Sequence, residues 1–197
     1  MIAVVVALSA PALAADPLVD LRKVVPDAVL DVRYATADNF LGRAVYARPA
    51  AFLRRSTAEK LVRAAAALRA QGLRLVVFDA YRPLSAQKLM WKARPDPRFV
   101  ADPARGSAHN RGGAVDAGLA DAAGRPKSMP SAFDEFGPGA AHDAPGAGPE
   151  ARANARILKT AMEAAGLRSL DGEWWHYRDP ASSAWPLLDV PLEELAP

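Results

Sequence analysis

Two short segments hold most of the residues in this chain that could do chemistry. Gly106-Ser107-Ala108-His109-Asn110-Arg111-Gly112-Gly113-Ala114-Val115-Asp116 carries one of only three histidines, two adjacent glycines and an aspartate. Glu173-Trp174-Trp175-His176-Tyr177, near the C-terminus, adds a second histidine and a glutamate. Two imidazoles, a carboxylate ligand and a spare carboxylate are what a catalytic zinc site with three protein ligands and an open water position requires. The residue types assign His109, Asp116 and His176 to one zinc ion per chain. Glu173 is then the base that takes a proton from the attacking water and hands it to the leaving amine. The oxyanion of peptide hydrolysis calls for a further cation, and Arg82 is best placed for it; Asp79 would orient Arg82 through a charge-assisted hydrogen bond. Taken singly, Arg82 also reads as an ordinary salt-bridge arginine, and Trp174 and Trp175 as core and wall. With no cysteine in the chain, disulfides and thiolate metal sites are excluded.

Positioning these groups sets requirements on the elements around them. The glycine pair argues against a helix from His109 to Asp116 and for a turn that folds the histidine loop back beside a strand. On a regular strand Glu173 and His176 would face opposite sides, so a bulge or bend near Trp174 is needed. Upstream, Leu30 to Tyr34 reads as a strand and Ala44 to Tyr46 as a second extended piece. Ser56 with Glu59 suggests a capping box opening a helix to about Gln71, with Leu61, Ala64, Ala65 and Leu68 inward and Gly72 as its stop. Leu73 to Phe78 reads as a buried strand delivering Asp79 and Arg82 at its end, and Pro83 opens a helix to about Trp91. A strand over Ala114–Leu119 follows. Gly124 to Gly148, rich in Gly, Pro and Ala, reads as a functional cover or a mobile loop. Pro149 starts a helix to Ala165 with Ile157, Leu158, Ala161 and Met162 inward, extended structure returns from Leu167 to Tyr177, and a surface tail runs from Pro180. This mixed order without a βαβ rhythm predicts a single α+β domain, helices flanking a largely antiparallel central sheet.

At 197 residues, 51% hydrophobic and 24% charged, the chain suits one globular domain. Its net charge of +3 is scattered without a basic run, which speaks against nucleic-acid binding. Ile2 to Leu8 followed by Ala12-Leu13-Ala14 reads as a signal peptide over residues 1–14, with a start that lacks the usual leading basic residue and is open to truncation. The run is too short to span a bilayer as a mature helix. The expectation is an exported, periplasmic protein with a catalytic domain over 15–197.

Ser107-x-His109-x-x-Gly112-x-Ala114-x-Asp116 with Glu173-x-Trp175-His176 resembles the signature pair of zinc D-alanyl-D-alanine dipeptidases, the vancomycin-resistance-type D,D-dipeptidases, and of related D,D-carboxypeptidases. Arg33-Tyr34-Ala35-Thr36 with Asp38-Asn39-Phe40, Asp79-Ala80-Tyr81-Arg82-Pro83, and Met129 with Phe133-Asp134-x-Phe136 resemble the dipeptidase branch, in the family's order from about residue 29 to 178. The resemblance implies a zinc D,D-peptidase/hedgehog-like fold and hydrolysis of D-alanyl-D-alanine or a similar small D,D-dipeptide. It implies the same zinc ligands, Glu173 as base, Arg82 as transition-state stabiliser, and substrate contacts from Tyr34, Ser107 and Asp134. An acid such as Asp134 suits a free ammonium, and a hydroxyl with backbone amides suits a free carboxylate. His142 reads as an exposed or supporting histidine and not a ligand. The rival activities are a D,D-carboxypeptidase acting on peptidoglycan stems and a non-catalytic zinc domain binding cell-wall peptide. The chain departs from the family between Gly137 and Gly148, which puts substrate breadth in question. Oligomeric state is open.

Overall fold

A computed structural model describes residues 16–195. Residues 1–14, read above as a signal peptide, lie outside them. The elements, in order, are β1 (Leu18–Asp20), α1 (Leu21–Val24), β2 (Val29–Leu30), β3 (Phe52–Arg54), α2 (Arg55–Arg69), β4 (Leu73–Asp79), α3 (Leu84–Ala93), β5 (Ala114–Asp121), α4 (Pro149–Ala164), β6 (Arg168–Leu170) and β7 (Glu173–Arg178). Short 3-10 turns occupy Arg33–Ala35, His109–Arg111, Pro138–Ala140 and Pro180–Ala184. No helix among the described residues is long and apolar enough to cross a membrane.

The central sheet runs β2-β4-β5-β7-β6, antiparallel except where β2 meets β4, and β1 and β3 form a separate antiparallel pair. Strand alternation divides the sheet into two faces. Leu75, Val77, Val115, Ala117 and Leu119 face a core shared with Leu61, Ala64 and Leu68 of α2 and Leu158 and Met162 of α4. Val76, Phe78 and Ala120 face the other way, where they meet Trp174, Trp175 and the cover-segment side chains Met129, Phe133 and Phe136. The helices form because their apolar residues recur at helical spacing. Leu61, Leu68 and Leu158 are all 0% exposed, and each such burial contributes about 1.5–3 kcal/mol.

Several local expectations need correction. Ser56 does not cap α2, which begins at Arg55; instead the Ser56 N–H and hydroxyl both donate to the Asp16 carboxylate, at 3.0 and 2.6 Å. A residue distant in sequence thus satisfies one of the helix's orphan N–H donors. The strand expected over Leu30–Tyr34 shrinks to Val29–Leu30, and Tyr34 sits in the 3-10 turn with its carbonyl accepting from the Val45 and Tyr46 N–H groups at 2.8 and 2.9 Å. That pairing anchors Ala44–Tyr46 without making a strand. Ile157 is only partly buried. The tail from Pro180 runs along the surface as expected, pinned by buried Ser182 and Leu192 and by Arg48, which donates to the Leu192 carbonyl at 2.6 Å.

Candidate active site

Three strands bring three side chains into one row. β4 and β5 pair Val77 with Ala117 and then Asp79 with Asp116, so one extra residue, Phe78, sits in β4 as a bulge. Without it Phe78 would oppose Asp116, and the carboxylate that orients Arg82 would turn away. On the other side of β5, Asp116 pairs directly with His176. Opposed residues in an antiparallel pair share a face, so ligand meets ligand.

The bend needed at Trp174 is present. β6 and β7 pair Ser169 with Tyr177 and then Leu170 with Glu173, leaving Trp174, Trp175 and His176 unmatched on β6. Both tryptophans are buried, where a regular strand would alternate. The Tyr177 hydroxyl donates to the Trp174 carbonyl at 3.1 Å and ties the bend together. As a result Glu173 and His176 line the same cavity.

His109 arrives from the turn before β5. Gly112 takes the left-handed conformation at φ 70° and closes that turn. Gly113 is needed for a different reason: a Cβ there would collide with Ser182 and the Trp185 ring. The His109 Nδ1 lies 2.7 Å from the Ala80 carbonyl. Such a contact places the proton on Nδ1 and leaves the Nε2 lone pair facing the site.

Nε2 of His109, Nδ1 of His176 and Oδ1 of Asp116 form a near-equilateral triangle with edges of 3.1, 3.3 and 3.0 Å. These are three lone-pair donors turned toward one another. Tetrahedral zinc with bonds of about 2.0–2.1 Å separates its ligands by about 3.3 Å, so the triangle fits the metal. Among the described residues these three are the cluster whose donor atoms all lie within 4.8 Å. Burial pulls Asp116 upward, but the flanking imidazoles win and hold it well below the usual carboxylate range. Burial pulls His109 down, yet Asp116 offsets this and the net shift is upward; at His176 burial prevails and the shift is downward.

Arg82 is buried and fixed on every side. Its Nε and Nη2 donate to Asp79 Oδ2 at 3.0 and 2.6 Å, and Nη1 donates to Gln87 Oε1 at 2.9 Å. Its guanidinium lies over the Tyr34 ring at 5.1 Å, and Nη2 approaches Asp116 Oδ2 at 4.0 Å. The other Asp79 oxygen accepts from Tyr46 at 2.8 Å and from the Ala80 N–H at 2.9 Å. Asp79 does orient Arg82, and its two helpers, Tyr46 and Gln87, escaped the sequence reading. A polar Gln at a core-facing position of α3 was the available signal for the second; Tyr46 left none.

Glu173 and Asp134 both stand near the metal triangle with carboxyls pushed up to about 7, in each case by burial first and the Asp116 charge second. Asp134 accepts from the Tyr34 hydroxyl at 3.1 Å and from the Phe40 N–H at 3.4 Å. Its φ of 63° is unusual for a non-glycine residue and marks a side chain aimed at some backbone cost. Ser107, partly buried, presents its hydroxyl to Asn110 Oδ1 at 3.1 Å.

Tyr34, Arg82, Ser107, His109, Asp116, Asp134, Glu173 and His176 all line one cavity of about 230 Å³. Asp79 lies behind Arg82. Over the cavity three loops meet through Phe40, Phe99 and Phe136: Phe136 lies 5.7 Å from Phe40 and 5.1 Å from Phe99, and Arg94 sits over Phe99 at 4.3 Å and Phe136 at 5.2 Å. His142 stands apart from the metal cluster, edge-on to Tyr177, with both ring nitrogens buried and unpartnered.

A family profile described as D-ala-D-ala dipeptidase matches residues 14–191. A D-alanyl-D-alanine dipeptidase of Escherichia coli K12 is 37% identical over 171 residues, covering 87% of this chain and 89% of that protein. Another, of Enterococcus faecalis V583, is 32% identical over 169 residues, covering 75% and 84%. A third, of Streptomyces coelicolor, is 32% identical over 171 residues, covering 75% and 83%. Among solved structures, a vancomycin resistance D,D-pentapeptidase in complex with Zn(II) aligns at a TM-score of 0.42 and 19% identity, over 68% of this chain and 78% of that one.

Proposed function

The chain belongs to the D-Ala-D-Ala dipeptidase family, and on that premise we propose that it hydrolyses D-alanyl-D-alanine, or a similar D,D-dipeptide, to free amino acids. The observation that carries the reading is the convergence, in one cavity, of three metal-donor atoms with a carboxylate that is not a ligand and a buried arginine. His109, Asp116 and His176 would hold one zinc ion, which when bound would supply a Lewis acid for the scissile carbonyl and for activating the attacking water.

The remaining work belongs to the chain. Glu173 is placed beside the triangle by the β7 bend, and burial raises its basicity toward neutrality, where a group that must accept and then release a proton works best. It takes the proton of the attacking water and passes it to the departing amine. Arg82 meets the developing oxyanion; because Asp79, Gln87 and the Tyr34 ring already hold it, little reorganisation is needed as charge develops. Asp134, supported by Tyr34 and the Phe40 amide, receives the substrate ammonium. Ser107 receives the carboxylate. Phe40 and Phe136 line the cavity beside Asp134, with Phe99 packed on Phe136; this is the side where a longer peptide would have to continue, which favours a dipeptide over a peptidoglycan stem. The Ala12-Leu13-Ala14 pattern adds export to the periplasm to the proposal.

The test is to offer the purified protein D-Ala-D-Ala, L-Ala-L-Ala and a pentapeptide ending in D-Ala-D-Ala, before and after chelation. Hydrolysis of the D,D-dipeptide, lost on chelation and restored by zinc, is expected. Preference for the pentapeptide would convert the reading to a carboxypeptidase, and indifference to chelators would remove the metal.

A further inference from the structure

Arg82 and Ser107 come from loops that share no strand: one follows β4, the other precedes β5. The backbone joins them once, where the Arg82 N–H donates to the His109 carbonyl at 3.2 Å; the side chain that joins them is that of Asn110, 0% exposed and so far without a role. Its Nδ2 donates to the Arg82 carbonyl at 2.9 Å. Its Oδ1 accepts both the N–H and the hydroxyl of Ser107, at 2.8 and 3.1 Å. One carboxamide therefore spans the arginine loop and the serine loop.

Asn110 is held in turn by the C-terminal segment. Its carbonyl accepts from the Leu188 N–H at 2.8 Å, and the Leu188 carbonyl accepts from the Leu84 N–H, just past Arg82, at 3.1 Å. On the near side of Arg82 the Tyr81 hydroxyl donates to the Val190 carbonyl at 3.0 Å and accepts from the Val190 N–H at 2.9 Å. Leu187 packs so closely on Gly106 that a Cβ there would collide with it. Residues 187–190 are thus stitched to both loops.

We infer that Asn110 is a positioning residue: it sets Ser107 in register with Arg82, and the segment 187–190 keeps it there. The two bonds to Oδ1 have different fates. The Ser107 N–H bond is fixed by the backbone, so Oδ1 stays satisfied when the hydroxyl rotates its proton toward a substrate carboxylate. Asn110 gives that hydroxyl a defined resting place one rotation from its working one. This rests on Ser107 as a substrate contact.

The experiment is a double-mutant cycle on the zinc-loaded enzyme with D-Ala-D-Ala, reading KM, kcat, metal content and Tm. Ser107→Ala should raise KM about tenfold, the loss of one hydrogen bond to a charged group. Asn110→Ala should raise KM about fivefold, and the double variant should match Ser107→Ala alone because the two act in series. A residue that only held the fold would lower Tm and the active fraction while leaving KM unchanged. An unchanged KM in Asn110→Ala, or additive effects in the double variant, would overturn the inference. Parent-like KM in Ser107→Ala would instead show that the substrate reading of Ser107 had failed. If Asn110→Ala does not fold, Tyr81→Phe cuts both bonds to Val190 and keeps the ring. Its KM should rise about threefold, and an unchanged KM there overturns the role of the segment.

Discussion

The two faces of β5 set stability against chemistry within a single strand. Val115, Ala117 and Leu119 point into the helix-packed core, whereas Asp116, on the opposite side, points into the cavity. On the first face apolar burial is stabilising, and the pattern is plain alternation. On the second, Asp79, Arg82, His109 and Asp116 are all buried, an arrangement tolerable only because each group is paired, hydrogen-bonded or ready for a metal. The irregularities lie on this second side: the Phe78 bulge, the β7 bend and the positive φ of Asp134. Regular structure carries the stability, and departures from it aim the reacting groups.

The sharpest way to break that contrast is to mutate both faces of the same strand. Asp116→Ala should abolish hydrolysis and zinc retention, measured by metal analysis after dialysis, with little loss of secondary structure by circular dichroism. Leu119→Ala should do the reverse, costing about 2–5 kcal/mol of stability in denaturant titration while each folded molecule keeps its kcat/KM. If both variants lost stability alike, the division between the faces would be wrong.

Next in size, Glu173→Gln should keep zinc yet lower kcat by on the order of 10³-fold, within the range of general acid–base catalysis. A variant that still turned over at near-parental rate would take Glu173 out of its role. Arg82→Lys keeps the charge but not the fork held by Asp79 and Gln87, so kcat should fall about 10²-fold with KM changed less; an equal loss in KM would make Arg82 a ground-state binding group.

The smallest effect is in pH. Glu173 must be ionised to accept a proton, so activity should fall as pH drops through its pKa. Burial pushes that value up to about 7, and a bound dication pulls it back down. The acid limb of kcat/KM should therefore have its midpoint at or below about 7, and Glu173→Asp should shift that midpoint. A limb unmoved by Glu173→Asp would assign it to another group, such as a ligand histidine giving up the metal to protons.

Much of this site was readable in advance because metal chemistry restricts residue types so severely. With three histidines and no cysteine in the chain, few ligand sets were possible, and the helices α2 and α4 followed from apolar spacing. The failures share one cause. Asp16 capping α2, Tyr46 and Gln87 supporting Arg82, and Asn110 joining two loops are all polar partners remote in sequence or lacking any local periodicity. Tyr34 went astray in part for the same reason: besides the local bonds of its turn, Ala35 to Val32 and Thr36 to Arg33, its carbonyl is held by the N–H groups of Val45 and Tyr46.

By itself the sequence singled out His109, Asp116 and His176 as candidate ligands, Glu173 as the spare carboxylate, the helical stripes and the need for a bend at Trp174, because residue chemistry and periodicity are local properties. Only the tertiary structure decided that Asp79, Asp116 and His176 form one row, that three donor atoms lie about one zinc-ligand spacing apart, and that the C-terminal segment braces the loops around them. Strand register and bulge position decide these things, since a shift of one residue turns a side chain to the other face, and register is settled by the packing of the whole sheet.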